Sequence, residues 1–289
     1  MITVIIVLLV LGLCFGSFVN AFVWRFRRQA ELREEQASKA EIAAISIANG
    51  RSMCVHCKHE LAAKDLVPVV SFLLLRGRCR YCRKPIQDTP LAEIVTPLLF
   101  IVSYVFWPLG FEGAGLLAFC TWLVCLVGFV ALSLYDLRWY ELPHRIVLPL
   151  IALVVVSLVV EATLFGGGTQ TLQHAGWGAL FGGGLFYLLY LFSPKETLED
   201  GTKVSRWIGF GDITLGTLLG LLVGGPGNAL LLIFVASLLG TLLAVPLLAT
   251  GKATRSSHLP FGPFLMAAAV IVKLWGASLI GWYLGKFLI

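Results

Sequence analysis

The first 24 residues, MITVIIVLLVLGLCFGSFVNAFVW, contain no Asp, Glu, Lys or Arg. About 20 such residues are what an α-helix needs to cross the roughly 30 Å hydrocarbon layer of a bilayer. In lipid, only helices and closed barrels satisfy every backbone N–H and C=O. The run is one of many. Hydropathy windows of about 20 residues place eight spans, at roughly 2–24, 91–109, 115–136, 145–164, 176–193, 208–223, 229–249 and 262–285. Composition agrees: 58% of the 289 residues are hydrophobic and 13% charged, against about 25% charged in an average soluble domain. The sequence therefore predicts an all-α polytopic membrane protein with about eight transmembrane helices, and excludes a water-soluble globular domain.

Charge placement gives these spans a direction. No basic n-region precedes the first span, as it would in a cleaved signal; Arg25, Arg27 and Arg28 follow it instead. The positive-inside rule then puts the N-terminus outside and the next segment in the cytoplasm. The expected outer loops, 110–114, 165–175 and 224–228, hold no Lys or Arg, whereas the expected inner segments hold Arg138, Lys195, Lys203, Arg206, Lys252 and Arg255. Lys286 falls outside this pattern. Three regions are expected: the first span (1–24), a cytoplasmic loop domain (25–90) and a membrane domain (91–289).

The loop 25–90 carries 13 Lys/Arg and seven Asp/Glu, which accounts for the whole +6 charge of the chain. Such a basic face suits anionic lipid headgroups, and nothing in it calls for nucleic acid. Residues 29–48 are Ala/Glu-rich and predict a helix. Within the loop stand CVHC (Cys54, Cys57) and CRYC (Cys79, Cys82), with 21 residues between the pairs. Two short turns that each present two thiols are the spacing of a tetrahedral zinc site. A redox pair or free thiols are the alternatives, while a cytoplasmic setting disfavours structural disulfides. His56 and His59, beside the first pair, read as surface residues, and Cys14, Cys120 and Cys125, inside spans, as small buried hydrophobes. A loop of this size has little core of its own, so a metal would be its main staple.

Few acids lie near the membrane. Glu112 and Glu161 fall towards the outer face, and Glu196, Glu199 and Asp200 in a solvated inner loop. Glu93 opens the second span, Asp136 and Glu141 follow the third, and Asp212 opens the sixth. Asp136 and Asp212 thus share the inner edge of the membrane, each at the end of an apolar helix. From Asp212, Gly216, Gly220 and Gly224 follow at intervals of four, a stripe along which helix backbones approach closely. The stripe should turn Asp212 toward another helix. Ser133, Gly128, Cys125 and Thr121 lie on roughly the side of Asp136. Two carboxylates facing one another in a partly dry site hold one proton between them, the arrangement of an aspartic protease. Two plain helix ends at headgroup depth, or a proton or cation relay, use the same spacing.

The residues also resemble a known family. GFGD (Gly209 to Asp212) is similar to the GxGD signature of intramembrane aspartic proteases, and YDLRWYELP (Tyr135 to Pro143) to the segment that carries the first aspartate of the bacterial prepilin peptidases. GSFVNAFVWR, LVPVVSF, PLAE and LPFGPFL fall in that family's order, and the tetracysteine loop lies where its zinc-binding cytoplasmic domain lies. The resemblance implies a peptidase of the bacterial inner membrane. It would cleave the basic leader of prepilin or pseudopilin precursors at the cytoplasmic face, and many members also methylate the new N-terminus with S-adenosylmethionine. It implies Asp136 and Asp212 as the catalytic pair; Glu93, near the same face, is expected as a supporting acid, and Gly209 and Gly211 as positions where the backbone approaches substrate or a neighbouring helix closely. The chain departs from the pattern at three places: His144 where the family has Asp or Asn, Thr214 where it has Lys, and RFR (Arg25 to Arg27) for RLP. No glycine-rich nucleotide fingerprint marks a cofactor site; the Gly clusters at 166–168, 182–184 and 224–227 read as packing or turn residues. A non-catalytic assembly or transport protein on the same scaffold is the alternative.

Overall fold

A computed structural model of the chain describes residues 1–47, 50–86, 89–197, 203–205, 207–251 and 259–287. Glu199, Asp200, Arg206, Lys252 and Arg255, used above as inner-loop charges, lie outside the described residues. The chain divides into two compact units, Met1–Val105 and Phe106–Ile289.

The first unit pairs α1 (Ile2–Glu34) with α4 (Leu91–Val105). Their approach is close because α1 presents glycines: a side chain at Gly12 would run into the backbone of Pro97, and one at Gly16 into the backbone of Ala92 and Glu93. Between them lie α2 (Lys39–Ala44), a 3₁₀ turn at Ala63–Asp65 and α3 (Val70–Leu74). The helix expected over 29–48 is broken in two. α1 runs on to Glu34 because its polar end is laced by Arg27–Glu31 and Arg28–Glu31 ion pairs of 3.2 and 3.1 Å at helical spacing. Gln36 then adopts φ 54°, and Ser38 opens α2 with a reciprocal cap to Glu41.

The second unit is a bundle of α5 (Gly113–Trp139), α6 (His144–Leu164), α7 (Gly168–Phe192), α8 (Phe210–Val223), α9 (Pro226–Ala249) and α10 (Gly262–Phe287). These match the expected spans to within a few residues, apart from the start of α7. Among the described residues, six helices are long and apolar enough to cross a membrane: α1, α5, α6, α7, α9 and α10. The other two expected spans are shorter. α4 has 15 residues and α8 has 14, about 22 and 21 Å at 1.5 Å per residue, less than the roughly 30 Å core. A small hairpin of β1 (Lys195–Thr197) and β2 (Lys203–Ser205) was not expected; Lys195 pairs with Ser205 across it.

The glycine stripe does what the spacing expects of it. A side chain at Gly220 would meet the carbonyl of Gly178 on α7, one at Gly182 the carbonyl of Gly216, and one at Gly183 the hydroxyl of Thr217. Gly184 meets nothing closer than 3.7 Å and takes no part. Across α5, Thr121 donates to Ser157 of α6 at 3.0 Å, Gly128 admits Leu150, and Ser133 lies 3.7 Å from the Met266 sulfur. Cys125 is buried as expected, but Cys14 and Cys120 are exposed. They stand on outward faces of membrane helices, where an apolar residue needs no protein cover.

Candidate active site

α5 delivers Asp136 in its last turn, and Tyr140 stops the helix one turn later by taking a left-handed conformation, φ 56°, with its N–H on the Asp136 carbonyl at 2.9 Å. Residues Tyr140 to Pro143 then turn the chain into α6. α8 delivers Asp212 in its first turn, the end at which a helix dipole favours negative charge. The Asp212 carboxylate accepts the Gly209 N–H at 3.1 Å, which satisfies one of the free amides of the helix start. The Asp136 side chain is buried, 5% exposed, and the Gly262 N–H at the start of α10 donates to it. Both carboxyl groups line one cavity of about 940 Å³ and act on one another through space. That volume lies within the roughly 300–1,000 Å³ of ligand pockets. Tyr140, Leu142, His144, Trp207 and Phe261 are among its walls, with Glu141 and Ser205 as further polar members.

Two glycines let these walls close. A Cβ at Gly211 would stand 2.8 Å from Leu142 Cβ, so α8 reaches the turn after α5 only with hydrogen at that position. A Cβ at Gly262 would stand 2.5 Å from Asp136 Oδ2. Gly209 has no such need: a Cβ there would meet Asp212 Oδ2 at 3.4 Å, ordinary contact. Gly262 stands within LPFGPFL with no local mark of a role, and only the fold brings it against Asp136. His144 and Thr214, the two departures near the aspartates, also meet. Thr214 Oγ1 donates to the Gly211 carbonyl at 2.9 Å and lies 3.4 Å from His144 Nδ1. Glu93 belongs to the first unit, where Oε2 accepts the Val69 N–H at 2.6 Å and the residue lines a separate cavity.

The four loop cysteines come together, all Sγ atoms within 4.8 Å of one another. Their two turns are built alike. Lys58 N–H bonds the Cys54 carbonyl at 2.8 Å and Arg83 N–H the Cys79 carbonyl at 3.0 Å, with Lys58 and Arg83 at φ 57° and 58°. Cys54 Sγ and Cys82 Sγ are 3.8 Å apart, the separation set by a tetrahedron with Zn–S bonds of about 2.3 Å. Burial opposes ionisation of Cys54, but the amides of Cys57 and His56 and the neighbouring thiols bring it down to about 7. The Lys84 amide favours a Cys82 thiolate, yet burial and thiols shared with Cys79, Cys57 and Cys54 hold it up at about 11. The donor set fits one zinc ion. His56 and His59 are exposed, and His59 lies against the Tyr81 ring at 3.7 Å.

Fold and site together define a polytopic helical membrane protein with two aspartates at helix ends in one cavity and, in its polar loop, four thiols placed so that they could hold one metal ion. Residues 10–107 match the bacterial peptidase A24 N-terminal domain, and residues 122–245 match the type IV leader peptidase family. The prepilin leader peptidase/N-methyltransferase of Stutzerimonas stutzeri is 32% identical over 286 residues, covering 96% of this chain and 92% of that protein. Those of Pseudomonas aeruginosa and Aeromonas hydrophila are 33% and 32% identical with the same coverage. The chain belongs to the type IV leader peptidase family. No solved structure gives a significant match.

Proposed function

We propose that the protein cleaves the basic leader from prepilin or pseudopilin precursors and methylates the N-terminus so exposed. The observation that carries the peptidase reading is the pairing of Asp136 and Asp212 across one cavity. In this reading the ionised member takes a proton from water while the protonated member polarises the scissile carbonyl. Gly262 positions Asp136, and Gly211 lets α8 carry Asp212 against the Leu142 turn. The protein lies in the bacterial inner membrane with its N-terminus outside and the loop 25–90 in the cytoplasm, so the cavity faces the side on which a basic leader waits.

For methylation the first unit offers a cavity of about 190 Å³, with Asp65, Glu93, Trp24 and Phe72 in its lining. Asp65 is engaged by Arg80 and Tyr81, which leaves Glu93 for a sulfonium cation, Trp24 and Phe72 for a purine and the Arg25 and Arg51 of the same lining for a carboxylate, so these residues fit S-adenosylmethionine. The volume, below the roughly 300 Å³ of a pocket that encloses a whole small ligand, suits part of it, with the remainder in solvent. Zinc, held by Cys54, Cys57, Cys79 and Cys82, would supply structure and no chemistry.

Helix capping by Asp212 favours the rival reading, an assembly or transport protein in which the aspartates merely end helices. Asparagine separates the two, because its amide oxygen still accepts the Gly209 N–H. Asp212→Asn and Asp136→Asn are therefore expected to keep the fold and lose cleavage, read as precursor mobility on a gel. Normal processing by either variant would remove the pair from the reaction.

A further inference from the structure

α3 is built with two faces. Phe72 and Leu75 turn inward and line the first unit's cavity. Val70, Leu73 and Leu74 turn outward and are 51%, 66% and 76% exposed. Three adjacent aliphatic side chains left that open are not a solvent face. Directly after them come Arg76 and Arg78, both exposed, around the tight turn at Gly77. The depth of this patch is set by one bond: the Val69 N–H, just before α3, donates to Glu93 in the first turn of α4 at 2.6 Å. α4 is an apolar helix whose only charged residue is Glu93. Its first turn is where charge gives way to a mainly apolar run, and α3 is fastened there.

We propose that α3 is a lipid-docking element, with Val70, Leu73 and Leu74 in the acyl–headgroup boundary of the leaflet at which α4 begins and Arg76 and Arg78 on anionic headgroups. Apolar residues backed by arginine are the composition of an interfacial anchor. A second copy of the chain is a poorer occupant, since three side chains fall far short of the roughly 800 Å² per partner that a stable interface needs. Docking also explains how a loop with almost no core keeps this cavity wall in place: Phe72 of the five-residue helix and Leu75 just after it are held inward while the other face lies in lipid.

The test places photoreactive benzoylphenylalanine at Leu74 in the full-length protein, in nanodiscs of phosphatidylethanolamine and phosphatidylglycerol. Ala63, exposed in the same loop, carries the probe in a control. Illumination is expected to give lipid adducts at Leu74 in several-fold higher yield than at Ala63, resolved by mass spectrometry. Equal yields would overturn the proposal, as would adducts formed with precursor or with a second copy in preference to lipid. Combining the probe with Arg76→Gln and Arg78→Gln should lower the lipid yield several-fold; an unchanged yield would overturn the headgroup assignment. Dispersion on size exclusion, run on every variant, separates loss of docking from loss of fold.

Discussion

At the residue scale, the position of Asp136 rests on an atom that is missing. The Gly262 N–H donates to the carboxyl group, and a methyl group there would stand 2.5 Å from Oδ2. The atom in the way is the end of a side chain, so the helices need not move; the carboxyl group would swing off its donor instead. Gly262→Ala is therefore expected to leave thermal stability within about 1 kcal/mol of the parent, the value of one net hydrogen bond, and to cut the cleavage rate severely. A large loss of stability instead would show that Gly262 serves packing alone. The His144–Thr214 contact makes a different kind of prediction. The Thr214 hydroxyl donates to the Gly211 carbonyl at 2.9 Å and stands 3.4 Å from His144 Nδ1, so the two side chains share one contact. These are the two positions where the chain departs from the pattern of acid or amide with lysine. His144→Asp leaves an unpaired acid, Thr214→Lys an unpaired cation, and the double variant an ion pair. Each single change should lower kcat/KM about tenfold and the double should recover most of it, a coupling of about 2–3 kcal/mol; additive losses would refute the coupling. The aspartates were legible in the sequence because an acid inside an apolar run is costly and stands out. Gly262 and Leu142 were not, since nothing local distinguishes them until the fold brings them to the cavity.

At the scale of the element, α8 poses a problem that hydropathy hid. It reads as a span, yet its 14 residues end short of a full crossing, so its last carbonyls stop among other helices rather than in water. Each must find a donor. Lys273 Nζ bonds the Leu222 carbonyl at 2.7 Å and Asn228 Nδ2 the Val223 carbonyl at 3.0 Å, while the Gly225 N–H ties the following turn to the His174 carbonyl at 2.7 Å. Lys273, in the apolar run of α10, is employed here as the donor to a terminal carbonyl of the helix that carries Asp212. Its ammonium also lies 5.8 Å from the Trp107 ring centre. Lys273→Met keeps the bulk and deletes the donor. It should cost about 1–3 kcal/mol, the penalty for a buried unsatisfied carbonyl, measured by thermal unfolding in detergent, and lower cleavage more than binding of precursor. Unchanged stability would mean that the cap is dispensable. The glycine stripe of the same helix was readable because its period is that of the helix. The β1–β2 hairpin and the break at Gln36 were not, because turn geometry rather than hydrophobic period decides them.

At the scale of the molecule, the two units hold themselves together by different means. The second unit buries large side chains throughout, among them Trp122, Leu126, Leu132, Leu215, Leu218 and Leu265. Among the described residues from 36 to 90, Cys79 is the one buried hydrophobic residue. The loop is held by its four thiols and by a small polar cluster in which the Arg80 guanidinium, with Tyr81 beside it, keeps the Asp65 carboxyl below its ordinary range. Acid therefore acts on this unit in one direction. The Asp65 contribution is present in full above the unfolded carboxylate value, about 3.9, and is lost as pH falls through the lower folded value. Thiolates give up zinc at higher pH than that, so metal release comes first on acidification. Removing zinc at neutral pH isolates the metal's share. Chelator-treated protein in nanodiscs is expected to gain trypsin sites between Arg51 and Lys84 while the chain from Phe106 onward stays resistant. Methylation, whose proposed cavity is lined by Ser52, Met53 and Asp65 of that loop, should fall with the metal. Cleavage should fall far less, because Asp136, Asp212 and the cavity they line draw only on the second unit: the ends of α5, α6 and α8, Ser205 of β2 and the segments leading into α6, α8 and α10. Equal loss of both activities would mean that the loop governs the peptidase as well. Retention of both, with zinc shown to be gone, would remove the metal from the structure of the loop.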